Sequence, residues 1–222
     1  MTEAEVTYFR TFGFLHLRGI QTDMAPAIAD AFEDVFAKEL PRVGRHGRAG
    51  VARIAERSEV LQETLLADDR CPLLARRLLG GDAAYVGGDG VRYNGDTYWH
   101  RDGNHRALRL LKIVQYPEPL GPDTGALRFI PGTHRRSGSW DNFAAELENP
   151  ARHLGLEPTE VPCFTVASSP GDLIAFDPHS YHASFGGVDN RRQITTTYAA
   201  VPESPEARRE LTEYLLADRS VL

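Results

Sequence analysis

His100 and Asp102 stand two residues apart, and two further histidines, His179 and His182, follow far downstream. Two imidazoles and one carboxylate are the donor set of a mononuclear non-haem Fe(II) centre. There the three ligands close one face of an octahedron and leave the opposite positions open for O2 and a co-substrate. In extended backbone alternate side chains share a face, so His100 and Asp102 project to one side while Arg101 turns away. The third donor must come from the region between Asp172 and Ser184. His179 follows Pro178, which cannot donate to a sheet ladder and marks a turn. His182, followed by the small Ala183 and Ser184, is the better placed of the two to reach inward. Eight histidines are present, and most must do something else. His16, His46 and His153 read as ordinary surface or hydrogen-bonded residues, and His134, in Pro131-Gly132-Thr133-His134, as one that orders a tight turn.

Positioning two ligands on one segment and a third on a distant one calls for paired strands, and the second half of the chain supplies them. After Gly80-Gly81, short extended runs are punctuated by Gly, Pro, Asn and Asp. Strands are predicted at Ala84 to Val86, Gly90 to Tyr93, Tyr98 to Asp102, Leu108 to Tyr116, Ala126 to Ile130, Glu160 to Thr165, Asp172 to Phe176, Ala183 to Phe185 and Gln193 to Val201. That number suits a mainly β double-stranded β-helix, the cupin-like jelly roll of about eight strands. The first half is helical in pattern. Thr2 and Glu5 have capping-box spacing ahead of Val6, Phe9 and Phe12, with a stop at Gly13. Phe14 to Gly19 alternates like a strand, and Met24 to Lys38 returns to helical period. Leu61 to Leu79 predicts one or two helices broken near Pro72, and Glu206 to Leu216 a final amphipathic helix. The N-terminal helices and the C-terminal one are expected outside the barrel. Arg42 to Arg57, rich in Arg and Gly, reads as an exposed loop.

The 222 residues are expected to form a single domain, 1–222. A formal net charge of −6, with basic residues scattered rather than clustered, argues against a nucleic-acid partner and for a small-molecule substrate. Cys71 and Cys163 are too few and too far apart for a disulfide framework or a thiolate cluster, which indicates a reducing compartment. No signal-like segment or long apolar run appears, so the expectation is a cytoplasmic protein without a membrane partner. The sequence does not set an oligomeric state.

A series of ordered segments resembles a known family. Phe9-x-x-x-Gly13-Phe14 is followed by Trp99-His100-Arg101-Asp102. Next comes Gly125-Ala126-Leu127-Arg128-Phe129-Ile130-Pro131-Gly132-Thr133-His134, then Gly171-Asp172 ahead of Leu173 to Phe176. Last is His182-Ala183-Ser184, with Arg191-Arg192 beyond. Together these resemble the phytanoyl-CoA dioxygenase superfamily of Fe(II)- and 2-oxoglutarate-dependent oxygenases. The resemblance implies that His100, Asp102 and His182 ligate Fe(II) and that 2-oxoglutarate chelates the metal, with a basic residue on a late strand holding its far carboxylate. It also implies hydroxylation of an unactivated C–H bond with O2, releasing succinate and CO2. An intact Asp102 favours hydroxylation over halogenation.

A guanidinium fork binds a carboxylate through two charge-assisted hydrogen bonds, so Arg191 and Arg192 are the first candidates for that anchor. They face opposite sides of a strand, and only one can serve. The resemblance favours Arg191. Lys112, on a strand face with Leu108, Leu110, Val114 and Tyr116, interrupts an apolar stripe and is an alternative anchor. Arg92 is another candidate, for the co-substrate or for an acidic group of the substrate. Trp99, Tyr93 and Tyr116 are candidate pocket walls or core, and Asn104 and His105 lie where a substrate would approach. The loops Arg42 to Arg57 and Ser137 to Glu160 point to a specialised small molecule, such as a biosynthetic intermediate with an acidic group. Two other readings fit the same residues: a non-catalytic jelly-roll binding protein, and a cupin-type metalloenzyme that does not use 2-oxoglutarate.

Overall fold

The computed structural model describes residues 1–44, 48–135, 143–187 and 189–220. Of the segments named above, 45–47 (with His46), 136–142 and 188 lie outside the described residues.

Thr2 opens the first helix, α1 (Glu3–Phe12), through a reciprocal capping box with Glu5, and Gly13 closes it in the left-handed conformation. After β1 (Phe14–Leu17) comes α2 (Ala25–Lys38), with Pro26 in its first turn, where a missing N–H is harmless. A hairpin of β2 (Arg42–Val43) and β3 (Ala49–Ala52) follows, and then a 3-10 turn at Ile54–Arg57. The exposed loop expected from Arg42 to Arg57 is therefore corrected to a sheet edge and a packed turn. β3 pairs with β4, and Val51, Ile54 and Ala55 are buried against α2 residues such as Phe32. Three apolar residues in a polar stretch were too few to show a period. The next helical region is α3 (Glu59–Leu61) running into a π-helical stretch at Gln62–Ala67, then α4 (Arg70–Leu79). The break falls at Asp68-Asp69 rather than at Pro72, because Pro72 lies in the first turn of α4 and interrupts no hydrogen bond there.

β4 (Ala83–Tyr93) is one long strand where two were predicted. Its Gly87-Gly88 centre stays in the ladder because β11 presses against it: a Cβ on Gly88 would collide with the Thr195 carbonyl. The remaining strands are β5 (Thr97–His100), β6 (Leu110–Gln115), β7 (Leu127–Phe129), β8 (Phe164–Val166), β9 (Leu173–Phe176), β10 (His182–Ser184) and β11 (Arg191–Ala200). Between β7 and β8 lie the short helices α5 (Ala144–Glu148) and α6 (Pro150–Leu154). α7 (Pro205–Ser220) is the last element.

All pairings are antiparallel and form two sheets, of order β1-β9-β6-β11-β4-β3-β2 and β5-β10-β7-β8. Period-two alternation sorts each strand of the larger sheet. Val114, Tyr116, Ile174 and Phe176 turn inward to meet Leu127, Phe129 and Val166 of the smaller sheet. Leu111, Ile113, Leu173, Ala175 and Tyr198 turn outward to Val6 and Phe9 of α1 and Leu74 and Leu78 of α4. This is the two-sheet jelly roll, with the inter-sheet space open near β5 and β10.

Candidate metal centre

His100 and His182 are direct cross-strand partners of β5 and β10, and such residues share a face with their side chains in reach of each other. Their ring centroids lie 4.2 Å apart. Asp102 lies beyond the end of β5. Its amide and that of Gly103 both donate to the Pro178 carbonyl, which turns the chain so that the carboxylate meets both rings. Asp102 Oδ1 is 3.4 Å from His100 Nε2, and Oδ2 is 3.4 Å from His182 Nε2. Donors about 2.1 Å from an octahedral ion and at right angles lie about 3 Å apart, so the three groups have the spacing of a facial triad.

The protonation pattern fits a cation as well. His100 Nδ1 donates to the Tyr98 carbonyl at 2.7 Å, and His182 Nδ1 to the Ser180 carbonyl at 2.9 Å. A carbonyl only accepts, so each Nδ1 carries the proton and each Nε2 lone pair faces the common point. Burial pushes the His182 pKa down despite the pull of Asp102, which favours the neutral ligand form. Burial alone would raise the Asp102 pKa, but the Lys112 charge and the two imidazoles hold it well below the usual carboxylate range. Among the described residues, these three form the one cluster of His, Cys, Asp and Glu able to hold a metal.

The triad opens into a cavity of about 210 Å³ between the sheets, lined also by Arg48, Asp89, Tyr93, Thr97, Ser184, Gln193 and Thr195. Lys112 projects into it from β6, and its Nζ donates to Asp102 Oδ2 at 2.7 Å. Burial opposes the lysine charge, but Asp102 and Asp89 more than offset this and raise its pKa.

The four basic candidates separate by strand face. Arg191 is opposite Tyr93 and shares the inward face with Gln193 and Thr195. It is 2% exposed, donates through Nη1 to the Gly125 carbonyl and lies 5.0 Å from the centre of the Tyr93 ring. Gly125 is required here: its φ is +90°, and a Cβ would collide with the guanidinium. Arg191 Nε has no hydrogen-bond partner, and among the described residues no carboxylate pairs with this buried cation. Arg192 and Arg92 are corrections. Both point to the opposite face of the sheet, where Arg192 pairs with Glu118 at 2.9 Å and with Glu33 at 3.0 Å, and Arg92 pairs with Glu33 beside the Phe36 ring. Neither reaches the cavity, because a one-residue step along a strand reverses the face.

Other motif residues do structural work. His179 is held by Asp177 at 2.8 Å and by the His105 carbonyl, away from the triad. Asp172 accepts from the amides of Gly19 and Ser169 and from His16, tying two loops together. His134 bonds to the Arg10 carbonyl at the end of α1. Trp99 is core, against Phe185. Sequence reasoning missed Asp89, Arg48, Thr97, Gln193 and Thr195. Asp89 had a readable signal, being a carboxylate inside a strand between glycines.

Residues 9–192 match the family model described as phytanoyl-CoA dioxygenase (PhyH). No curated protein matches the chain. Its fold is similar to those of solved structures that include the following three, each less than a quarter identical in sequence. The non-heme alpha ketoglutarate dependent carbocyclase SnoK from nogalamycin biosynthesis gives a TM-score of 0.72 at 16% identity, over 90% of this chain and 84% of that one. HygX from Streptomyces hygroscopicus, solved with nickel and 2-oxoglutarate bound, gives 0.70 at 17%, over 93% and 89%. EctD from S. alaskensis with bound Fe gives 0.71 at 22%, over 93% and 80%. No described helix is long and apolar enough to cross a membrane. With the matched segment running from α1 into the strand that carries Arg191, the chain belongs to the phytanoyl-CoA dioxygenase (PhyH) family, the non-haem iron oxygenases that depend on 2-oxoglutarate.

Proposed function

We propose that the chain, acting as one domain, hydroxylates an unactivated C–H bond of a small molecule, with Fe(II) held by His100, Asp102 and His182. The observation that carries this reading is the convergence of three donors whose unprotonated atoms all face one point. When bound, the ferrous ion with 2-oxoglutarate and O2 supplies the oxidising chemistry. One oxygen atom goes to the substrate, and the other to succinate as CO2 is released.

The chain's own residues have the following roles. Arg191 takes the far carboxylate of 2-oxoglutarate. A guanidinium buried without an anion is costly, and a carboxylate on its fork would relieve that cost. Gly125 and Tyr93 fix the fork's position. Lys112 holds Asp102 Oδ2 rather than serving as the anchor, so the carboxylate is aimed by a charge-assisted bond. Phe176, Leu127 and Val114 close the cavity on its apolar side and keep water from the reacting centre.

The test is an anaerobic titration of the protein with Fe(II) and 2-oxoglutarate. A weak visible charge-transfer band is expected in the wild type and absent in His100→Ala, Asp102→Ala and His182→Ala. Unaltered spectra in those variants would overturn the assignment. Metal loading with no succinate formed under any substrate would favour a binding protein, and metal binding indifferent to 2-oxoglutarate a cupin of another kind.

A further inference from the structure

We propose that Arg48 and Asp89 form a two-pole recognition site for an ampholyte, a small substrate bearing a carboxylate at one end and a protonated amine at the other. The inference rests on the oxygenase reading above and extends it to the substrate class.

Both residues line the cavity that holds the metal triad. Register puts them on one face of the larger sheet: Ala52 pairs with Asp89, and Arg48 is four residues before Ala52, just ahead of β3 and level with Tyr93. At about 3.3 Å per residue their Cα levels differ by roughly 13 Å along the strands. The arginine's long side chain shortens the gap to what a small extended molecule spans.

The other charged groups in the cavity are already committed. Lys112 is engaged with Asp102 at 2.7 Å, and the triad belongs to the metal. Among the described residues, neither Arg48 nor Asp89 has an ion-pair partner. Arg48 is held in place without being neutralised: Nη2 donates to Tyr93 Oη at 2.6 Å, and the guanidinium lies 4.2 Å from the centre of the same ring. The rest of its fork remains available to an anion.

Asp89 is the end point of a directed chain. Tyr116 Oη donates to Gln193 Oε1 at 3.1 Å, Gln193 Nε2 donates to Thr195 Oγ1 at 3.1 Å, and the Thr195 hydroxyl donates to Asp89. Every link delivers a donor toward the carboxylate, so Asp89 is set up as an acceptor. Burial raises its pKa, with Lys112 and Arg48 only partly opposing this. An ammonium arriving from the substrate would complete the pairing that the fold leaves undone. The cavity of about 210 Å³ restricts the substrate to a compact molecule.

The test is calorimetric titration of the protein loaded with Ni(II), which is redox-silent, and 2-oxoglutarate. The probes are straight-chain amino acids from glycine to 6-aminohexanoate, each against its matched alkylamine and alkyl carboxylate. At least one amino acid is expected to bind roughly tenfold or more tightly than both of its single-charge counterparts. Asp89→Asn is expected to abolish the preference over the carboxylate, and Arg48→Gln the preference over the amine. Each variant must melt in one transition like the wild type; where it does not, Asp89→Ser or Arg48→Met, which also remove the charge, replaces it. No ampholyte preference, or a preference that survives both substitutions, overturns the proposal. Failure of the wild type to bind nickel and 2-oxoglutarate would instead remove the oxygenase reading, and this one with it.

Discussion

Replacing Arg191 by methionine separates a binding cation from a structural one, because the two roles predict opposite changes. The substitution keeps the unbranched stem of the side chain and removes the charged guanidinium. Two charge-assisted hydrogen bonds to the 2-oxoglutarate carboxylate, at about 1.5 kcal/mol each, amount to about 3 kcal/mol, or roughly a 100-fold rise in Kd. Stability should move the other way or not at all. The folded protein loses the bond to the Gly125 carbonyl and the contact with the Tyr93 ring, each about 1 kcal/mol. Against this, it no longer buries a guanidinium with an unpartnered Nε and no carboxylate, a desolvation cost of several kcal/mol. Arg191→Met without ligands is therefore expected to melt no lower than wild type while its 2-oxoglutarate affinity falls. The assays are thermal unfolding of the metal-free protein and anaerobic titration of the Fe(II) form followed by its charge-transfer band. Arg191→Lys, which keeps the charge but not the fork, should lie between the two. Unchanged affinity together with a lowered melting temperature would refute the reasoning. So would a Lys112→Met variant that lost 2-oxoglutarate binding while Arg191→Met retained it.

Removing any one triad ligand should weaken Co(II) binding by more than about 100-fold, measured by calorimetry, since loss of a supporting hydrogen bond alone costs 10–100-fold. Arg192→Ala and Arg92→Ala should leave 2-oxoglutarate affinity unchanged and lower stability by about 1 kcal/mol or less in urea unfolding, because their ion pairs lie on the outer, partly exposed face. Gly125→Ala should cost about 1–2 kcal/mol from its left-handed backbone and also raise the 2-oxoglutarate Kd by displacing Arg191. Asp172 gives a pH signature. Burial would raise its pKa, but the amides of Ser169 and Gly19 and the ring of His16 lower it overall. Its contribution is thus fully present above the unfolded value of about 3.9 and is lost as pH falls through the lower folded value. Asp172→Asn should cost about 2 kcal/mol at pH 7, and the difference from wild type should shrink in acid unfolding measurements below pH 4.

The triad was legible because its chemistry is carried by residue type and spacing. A histidine, a carboxylate two residues on and a histidine beside small residues narrow the choice before any fold is known. The two-sheet architecture was legible from turn residues at short intervals. What could not be read was pairing register. Arg191 and Arg192 are adjacent in sequence, and only their partners across β4 decide which one is buried and which meets Glu33 and Glu118. The β2–β3 edge was hidden because its strands are short and its burial comes from Val51 and Ile54, far from α2 in the chain. Asp102 meets the two histidines for a different reason from the one expected: it leaves the strand, and the Pro178 carbonyl, not pleat alternation, turns the chain there.

β5 is an outer strand of the smaller sheet, joined to β10 at only two register points, His182 with His100 and Ser184 with Thr97. An ion gripped by both imidazoles would act there as a rivet across the seam. Stripping it with a chelator should let that rim fray first, seen as faster amide exchange around Thr97 to His100 than in the larger sheet. The same atom that arms the reaction would then also hold shut the wall of the chamber that contains it.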